Sequence, residues 1–102
     1  MMKIDRSHSF SIEEARNRLE ALTTYWQNKY GIKPQWTGNT LRCKGSVKGV
    51  SFDAKMDVAE ARIQCEANVN WLAERLGARA YIEKKLREYL DPSKPVADLP
   101  RG

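Results

Sequence analysis

Two stretches constrain this chain more than any others. Val50-Ser-Phe52-Asp-Ala54-Lys-Met56 and Ala61-Arg-Ile63-Gln-Cys65-Glu-Ala67 both alternate apolar with polar at period two, the pattern of strands with one buried and one wet face. A tight turn at Asp57-Val58 would set Val50 against Cys65, Phe52 against Ile63 and Ala54 against Ala61. On the other side Asp53 would meet Arg62 and Lys55 would meet Glu60, opposite charges in opposed positions. The result is a hairpin whose apolar face needs a cover.

Two helices can supply it. Ser11 followed by Glu14 is a capping-box pattern, and Ile12, Ala15, Leu19, Leu22, Trp26 and Tyr30 then recur three or four apart on a stripe roughly 80° wide. Glu14/Arg18 and Arg16/Glu20 read as i,i+4 pairs on the wet side. Gly31 suits the left-handed position that ends a helix, and Pro34 prevents resumption. A second helix is expected from a cap at Asn68 or Asn70 to about Leu90. Its apolar phase changes from Val69, Leu72 and Leu76 to Ile82, Leu86 and Tyr89, so a kink or break is expected near Gly77.

Shorter signals fill in the rest. Met2 to Ser9 alternates weakly and is read as an edge strand. Gln35 to Asn39 is an aromatic followed by turn residues, Thr40 to Lys44 a strand with Leu41 and Cys43 inward, and Gly45-Ser46 a turn. The fold class is therefore α+β: a β-α-β-β-β-α chain with an antiparallel meander sheet covered on one face by two helices, within residues 1–91 as a single domain. Residues 92–102 carry Pro92, Pro95 and Pro100 without periodicity and read as a flexible tail. The 102 residues suffice for one modest core.

The chemistry-bearing residues are few. His8 is the only histidine, with no neighbouring nucleophile or acid set, so a hydrogen-bonded structural role is expected for it. Cys43 and Cys65 fall at inward positions of different strands and are expected as free, buried thiols. No metal or cofactor motif is present: Gly45-Ser-Val-Lys-Gly49 lacks the Gly-Lys-Ser/Thr ending of a phosphate loop. The chain is not expected to be an enzyme. No apolar run approaches membrane-spanning length and no secretory h-region follows Met1-Met2-Lys3, so a soluble, cytoplasmic protein is expected.

A formal charge of +5 permits an anionic partner. The helix–three strands–helix order is that of a double-stranded RNA-binding domain, which makes an RNA-binding module the alternative reading. However, the start of the second helix has no lysine pair, and Arg75, Arg79, Lys84, Lys85 and Arg87 come later, around different faces.

The order of His8-Ser-Phe10, Glu14-Ala15-Arg16, Tyr30-Gly31, Trp36-Thr-Gly38-Asn39, Gly45-Ser-Val47-Lys-Gly49-Val50 and Ile82-Glu83 through Leu90-Asp91 resembles the polyhydroxyalkanoic acid system proteins, a small bacterial family, over about residues 4 to 91. Cys43 and Ala67 stand where family members usually carry larger apolar residues, and Ala67-Asn68-Val69 replaces the family's Leu-Gly-Phe. The resemblance implies a non-enzymatic accessory protein of polyhydroxyalkanoate storage, associated with the granule. Because the apolar stripes of both helices are expected to cover the sheet, the granule is expected to be reached through a protein partner rather than by direct coating. No catalytic or cofactor residue carries over. His8, Arg16, Trp36, Gly38, Val47 and Gly49 carry over as pattern residues with expected structural roles. Tyr25 and Tyr81, expected as isolated exposed aromatics, mark with Lys84 and Lys85 the expected partner surface.

Overall fold

The computed structural model describes residues 2–47, 50–69, 75 and 77–102. Strand β1 (Met2–Ser7) leads into helix α1 (Ile12–Tyr30). Strands β2 (Lys33–Thr37), β3 (Thr40–Val47), β4 (Val50–Ala59) and β5 (Arg62–Val69) follow, then helix α2 (Ala78–Tyr89) and a 3-10 turn at Val96–Asp98. The strands form one antiparallel sheet in the order β1-β5-β4-β3-β2. The α+β architecture, the meander and the N-terminal edge strand are as the sequence indicates. Strand β2 is an addition: Lys-Pro-Gln-Trp-Thr carries a proline, which an edge strand tolerates because its outer amides need no ladder partner. Pro34 and Trp36 lie opposite Cys43 and Leu41.

The alternation assigns the inward face correctly for Ala54, Met56, Ile63, Cys65 and Ala67, but not for Ala61, which lies exposed in the turn, and it assigns the hairpin register incorrectly. Ala54, Met56 and Val58 of β4 and Ile63, Cys65 and Ala67 of β5 are all buried. The pairs, however, are Phe52↔Val69, Ala54↔Ala67, Met56↔Cys65 and Val58↔Ile63, and the turn is Glu60-Ala61. The turn is displaced by three residues: β4 runs on to Ala59 and β5 begins at Arg62. Val58 is the reason: it continues the apolar phase and is 5% exposed, so burying it outweighs the cost of placing Ala61 at φ 64. The charge pairs change accordingly. Arg62 binds Asp5 at 2.6 Å, Asp53 pairs with Arg42 at 3.7 Å, Lys55 with Asp57 at 3.7 Å, and Lys55 lies opposite Glu66. Phe52 is half-buried against the core, edge-on to Trp26 of α1 at 6.0 Å between ring centres, and lies opposite Val69 rather than Ile63. Strand β3 also continues through Gly45-Ser46, where a turn was expected.

Both helices cover the same face. Ser11 caps α1, its Oγ accepting from the Glu14 amide at 3.1 Å, and Gly31 ends it at φ 72 with its amide donating to Gln27 O. Ala15, Leu19, Leu22 and Trp26 are buried, whereas Ile12 and Tyr30 at the stripe's ends are half-exposed. In α2 Ile82, Leu86 and Tyr89 are buried. Gly77 at φ 101 precedes it, and no straight α-helix passes through that conformation, so the expected break is present. Asn68 belongs to β5 and is not a helix cap; the alternative cap Asn70, with Leu72 and Leu76, lies outside the described residues. Arg79 stays at the surface, bound to Glu83 at 3.3 Å and donating to Lys3 O of edge strand β1 at 2.9 Å.

The proline-rich segment is docked rather than free. Leu99 is 3% exposed within the core cluster. Tyr89 donates its hydroxyl hydrogen to Pro100 O, and Asn28 Nδ2 donates to Arg101 O at 2.7 Å.

Candidate partner surface

His8 lies at the sheet end, past β1. Its backbone amide donates to Ala61 O at 3.0 Å, and its ring Nδ1 accepts from the Phe10 amide at 3.1 Å. An Nδ1 that accepts from a backbone N–H carries no proton, so the hydrogen sits on Nε2 and points to Ala59 O at 3.0 Å. Nδ1 thus closes the loop before α1 on itself, and Nε2 fastens that loop to the end of β4.

The thiols are likewise sequestered. Cys43 and Cys65 are free and buried, and desolvation pushes them up to about 12 and about 11. They lie opposite Ala54 and Met56 on either side of β4. Two strand spacings of about 4.8 Å put them beyond the roughly 7 Å that a disulfide spans. Among the described residues no cluster of His, Cys, Asp and Glu could hold a metal ion.

The remaining pattern residues divide in two. Arg16 and Trp36 come together, the guanidinium lying 4.7 Å from the indole ring centre, so α1 is clamped to edge strand β2 by a cation–π contact. Arg16 Nε is buried without a hydrogen-bond partner, beside an open depression lined by Ile12, Glu13, Asn17 and Glu20. Gly38 at φ 58 makes the β2–β3 turn. Val47 closes β3, its backbone opposite Val50, and Gly49 lies outside the described residues.

The residue that sequence reasoning missed is Arg18. Expected on the wet side, it is 3% exposed. Its Nη1 donates to Tyr89 O and Asp91 O, both at 3.1 Å, and its Nη2 to Lys94 O at 2.7 Å. Glu14 pairs with it at 3.4 Å, and Phe10 lies against the guanidinium at 4.1 Å. A buried arginine is tolerable only when its forked donors are met. Here three carbonyls of the C-terminal segment meet them, and the segment is held in return. The Glu14–Arg18 spacing looks the same in sequence whether the pair is wet or buried.

Tyr25 and Tyr81 are not isolated. Lys85 lies between them, its Nζ 4.6 Å from the Tyr25 ring centre and 5.8 Å from that of Tyr81. Lys29, one turn beyond Tyr25 on α1, lies 5.4 Å from the same Tyr25 ring. Its hydrogen bond holds the Tyr25 phenol below the ordinary value and raises the ammonium in turn. Trp26 Nε1 donates to Tyr81 Oη at 3.2 Å, and burial pushes Tyr81 up to about 12. Among the described residues Tyr81 is the large apolar side chain left exposed, at 38%. Lys84 stands exposed beside it, while Lys85, with Glu88 at 3.5 Å, keeps only 15% of its side chain in water. Three of the four expected surface residues therefore form one braced cluster on the α1–α2 seam. Lys29 is the member that sequence reading overlooked, although its i,i+4 spacing from Tyr25 is legible.

The family model described as "Putative polyhydroxyalkanoic acid system protein" matches residues 2–93. No curated protein and no solved structure matches the chain. The matched span includes the described strands, α1, α2 and the seam, and leaves out most of the docked C-terminal segment.

Proposed function

From the premise that this chain belongs to the polyhydroxyalkanoic acid system protein family, we propose that it is a non-enzymatic accessory protein that acts at storage granules through a protein partner. The carrying observation is how its apolar surface is used. The stripes of α1 and α2 and the inner face of the sheet form one core cluster. Direct coating of a polymer surface needs a helix with its apolar face to spare, and releasing either helix would strip a core this small. Among the described residues no helix is long and apolar enough to cross a membrane.

The chemistry of the side chains supports the non-enzymatic half of the reading. The histidine has both nitrogens committed to backbone groups, and the thiols are held protonated by burial, which removes the thiolate a nucleophile requires. The test is co-sedimentation of the purified protein with native granules and with granules stripped of protein. The expected result is pelleting with native granules only. Tight pelleting with stripped granules would make the protein a direct coat and end the adaptor reading.

A further inference from the structure

We propose that the α1–α2 seam built from Tyr25, Lys29, Tyr81, Lys84 and Lys85 docks an acidic, carboxylate-rich segment of the partner protein. The inference rests on the partner-mediated reading above and adds the partner's chemistry and its landing site.

The two faces of this molecule treat their cations differently. On the open face of the sheet Arg42, Lys55 and Arg62 each have a carboxylate within ion-pairing distance, while Lys33 and Lys44 stand exposed directly opposite each other and make the second cationic site against which the seam is compared. At the seam the cations rest on tyrosine rings, which hold an ammonium group in place without neutralising it. Among the described residues the ion pairs at this cluster reduce to Lys85–Glu88 at 3.5 Å. Glu88 is the carboxylate paired with Lys85, Lys29 rests on the Tyr25 ring, and Lys84, exposed next to Lys85 on α2, adds a third ammonium group. Part of the chain's formal +5 is concentrated here.

The surface is also stiff. Tyr81 is pinned through its hydroxyl to Trp26, itself buried, and Lys85 is packed between two rings. Binding therefore orders few side chains, and a partly apolar aromatic anchor beside unneutralised charge is the composition of an interface hot spot. Carboxylates fit it better than nucleic acid does. Single-stranded RNA would need open ring faces on which to stack its bases, and the Tyr25 ring is already taken by two ammonium groups.

The test uses two charge-reversed variants of equal net charge. Lys29→Glu/Lys84→Glu alters exposed positions of the seam; Lys33→Glu/Lys44→Glu alters exposed positions of β2 and β3. In co-sedimentation with native granules, the seam variant is expected to bind at least tenfold less than the unaltered protein, and the sheet variant within twofold of it. Carbodiimide, which joins lysine only to carboxylates, should couple Lys29 or Lys84 to Asp or Glu of a granule protein, and ribonuclease should release nothing. Retention by the seam variant, equal loss in both variants, or release by ribonuclease would overturn the assignment. Should the unaltered protein fail to pellet with native granules at all, the granule reading falls, and the seam is judged separately by titration with a polyglutamate peptide. Amide shifts clustered at 25–29 and 81–85 uphold the carboxylate site, and shifts spread over the sheet refute it.

Discussion

Arg18 shows how much one side chain can decide in a chain of this size. Its guanidinium replaces water with three backbone carbonyls that belong to residues more than seventy positions away. Hydrogen bonds from a charged donor contribute about 1.5–3 kcal/mol each and are not additive. Arg18→Gln should therefore cost about 3 kcal/mol in urea unfolding. Arg18→Lys should recover little, because a point charge cannot reproduce the planar fork. A lysine variant within about 0.5 kcal/mol of the parent would show that the fork does not matter. Ala61 is the opposite kind of residue, a side chain tolerated at positive φ in the β4–β5 turn. Ala61→Gly should stabilise by roughly 0.5–1 kcal/mol, since relief of the left-handed strain exceeds the entropy cost of glycine. Destabilisation would mean that the turn geometry is otherwise.

At the scale of elements, the β4–β5 hairpin separates what a pattern can specify from what it cannot. Period two fixes which side chains face the core, and that part was legible from Ala54, Met56, Ile63 and Cys65. It does not fix register: any even slip preserves the faces, and the true turn, Glu60-Ala61, carries none of the glycine or asparagine that usually marks one. Val58 reports directly on the register. Buried opposite Ile63, its replacement by alanine should cost about 2 kcal/mol, whereas in a 57–58 turn it would cost almost nothing. A loss under about 0.5 kcal/mol in denaturant unfolding contradicts the observed pairing. The caps at Ser11 and Gly31 were legible because capping is local chemistry; Arg18, the docked tail and β2 were not, because their partners are distant or their pattern is broken by Pro34. The inner sheet face also sets a pH dependence. An ordinary thiol ionises near 9.0, but Cys43 and Cys65 hold their protons to about 12 and about 11. From about pH 8 the unfolded chain binds fewer protons than the folded one, so stability falls as pH rises through this window. Cys43→Ala/Cys65→Ala should flatten the slope of unfolding stability between about pH 8 and pH 9, below the ordinary phenol value of 10.0 around which Tyr81 and Tyr89 add to it. An unchanged slope would show that the thiols are not the groups responsible.

For the whole molecule, each layer is committed on one side and open on the other. The sheet offers a charged face whose ion pairs are mostly internal, and the helices offer a seam where cations rest on tyrosines. Between them lies a core that uses both helices' apolar stripes, with the C-terminal segment fastened over α1 by Arg18 and Leu99. On the proposed reading, a protein organised this way would meet a storage granule with its fold intact. Hydrogen–deuterium exchange in the presence of bare polyhydroxyalkanoate particles tests that most directly, because it reads whether the amides of Ile12–Tyr30 and Ala78–Tyr89 stay protected. The account predicts protection within twofold of that measured without particles. Loss of protection across both helices, with the protein adsorbed on the polymer, would show that they leave the sheet to coat the surface.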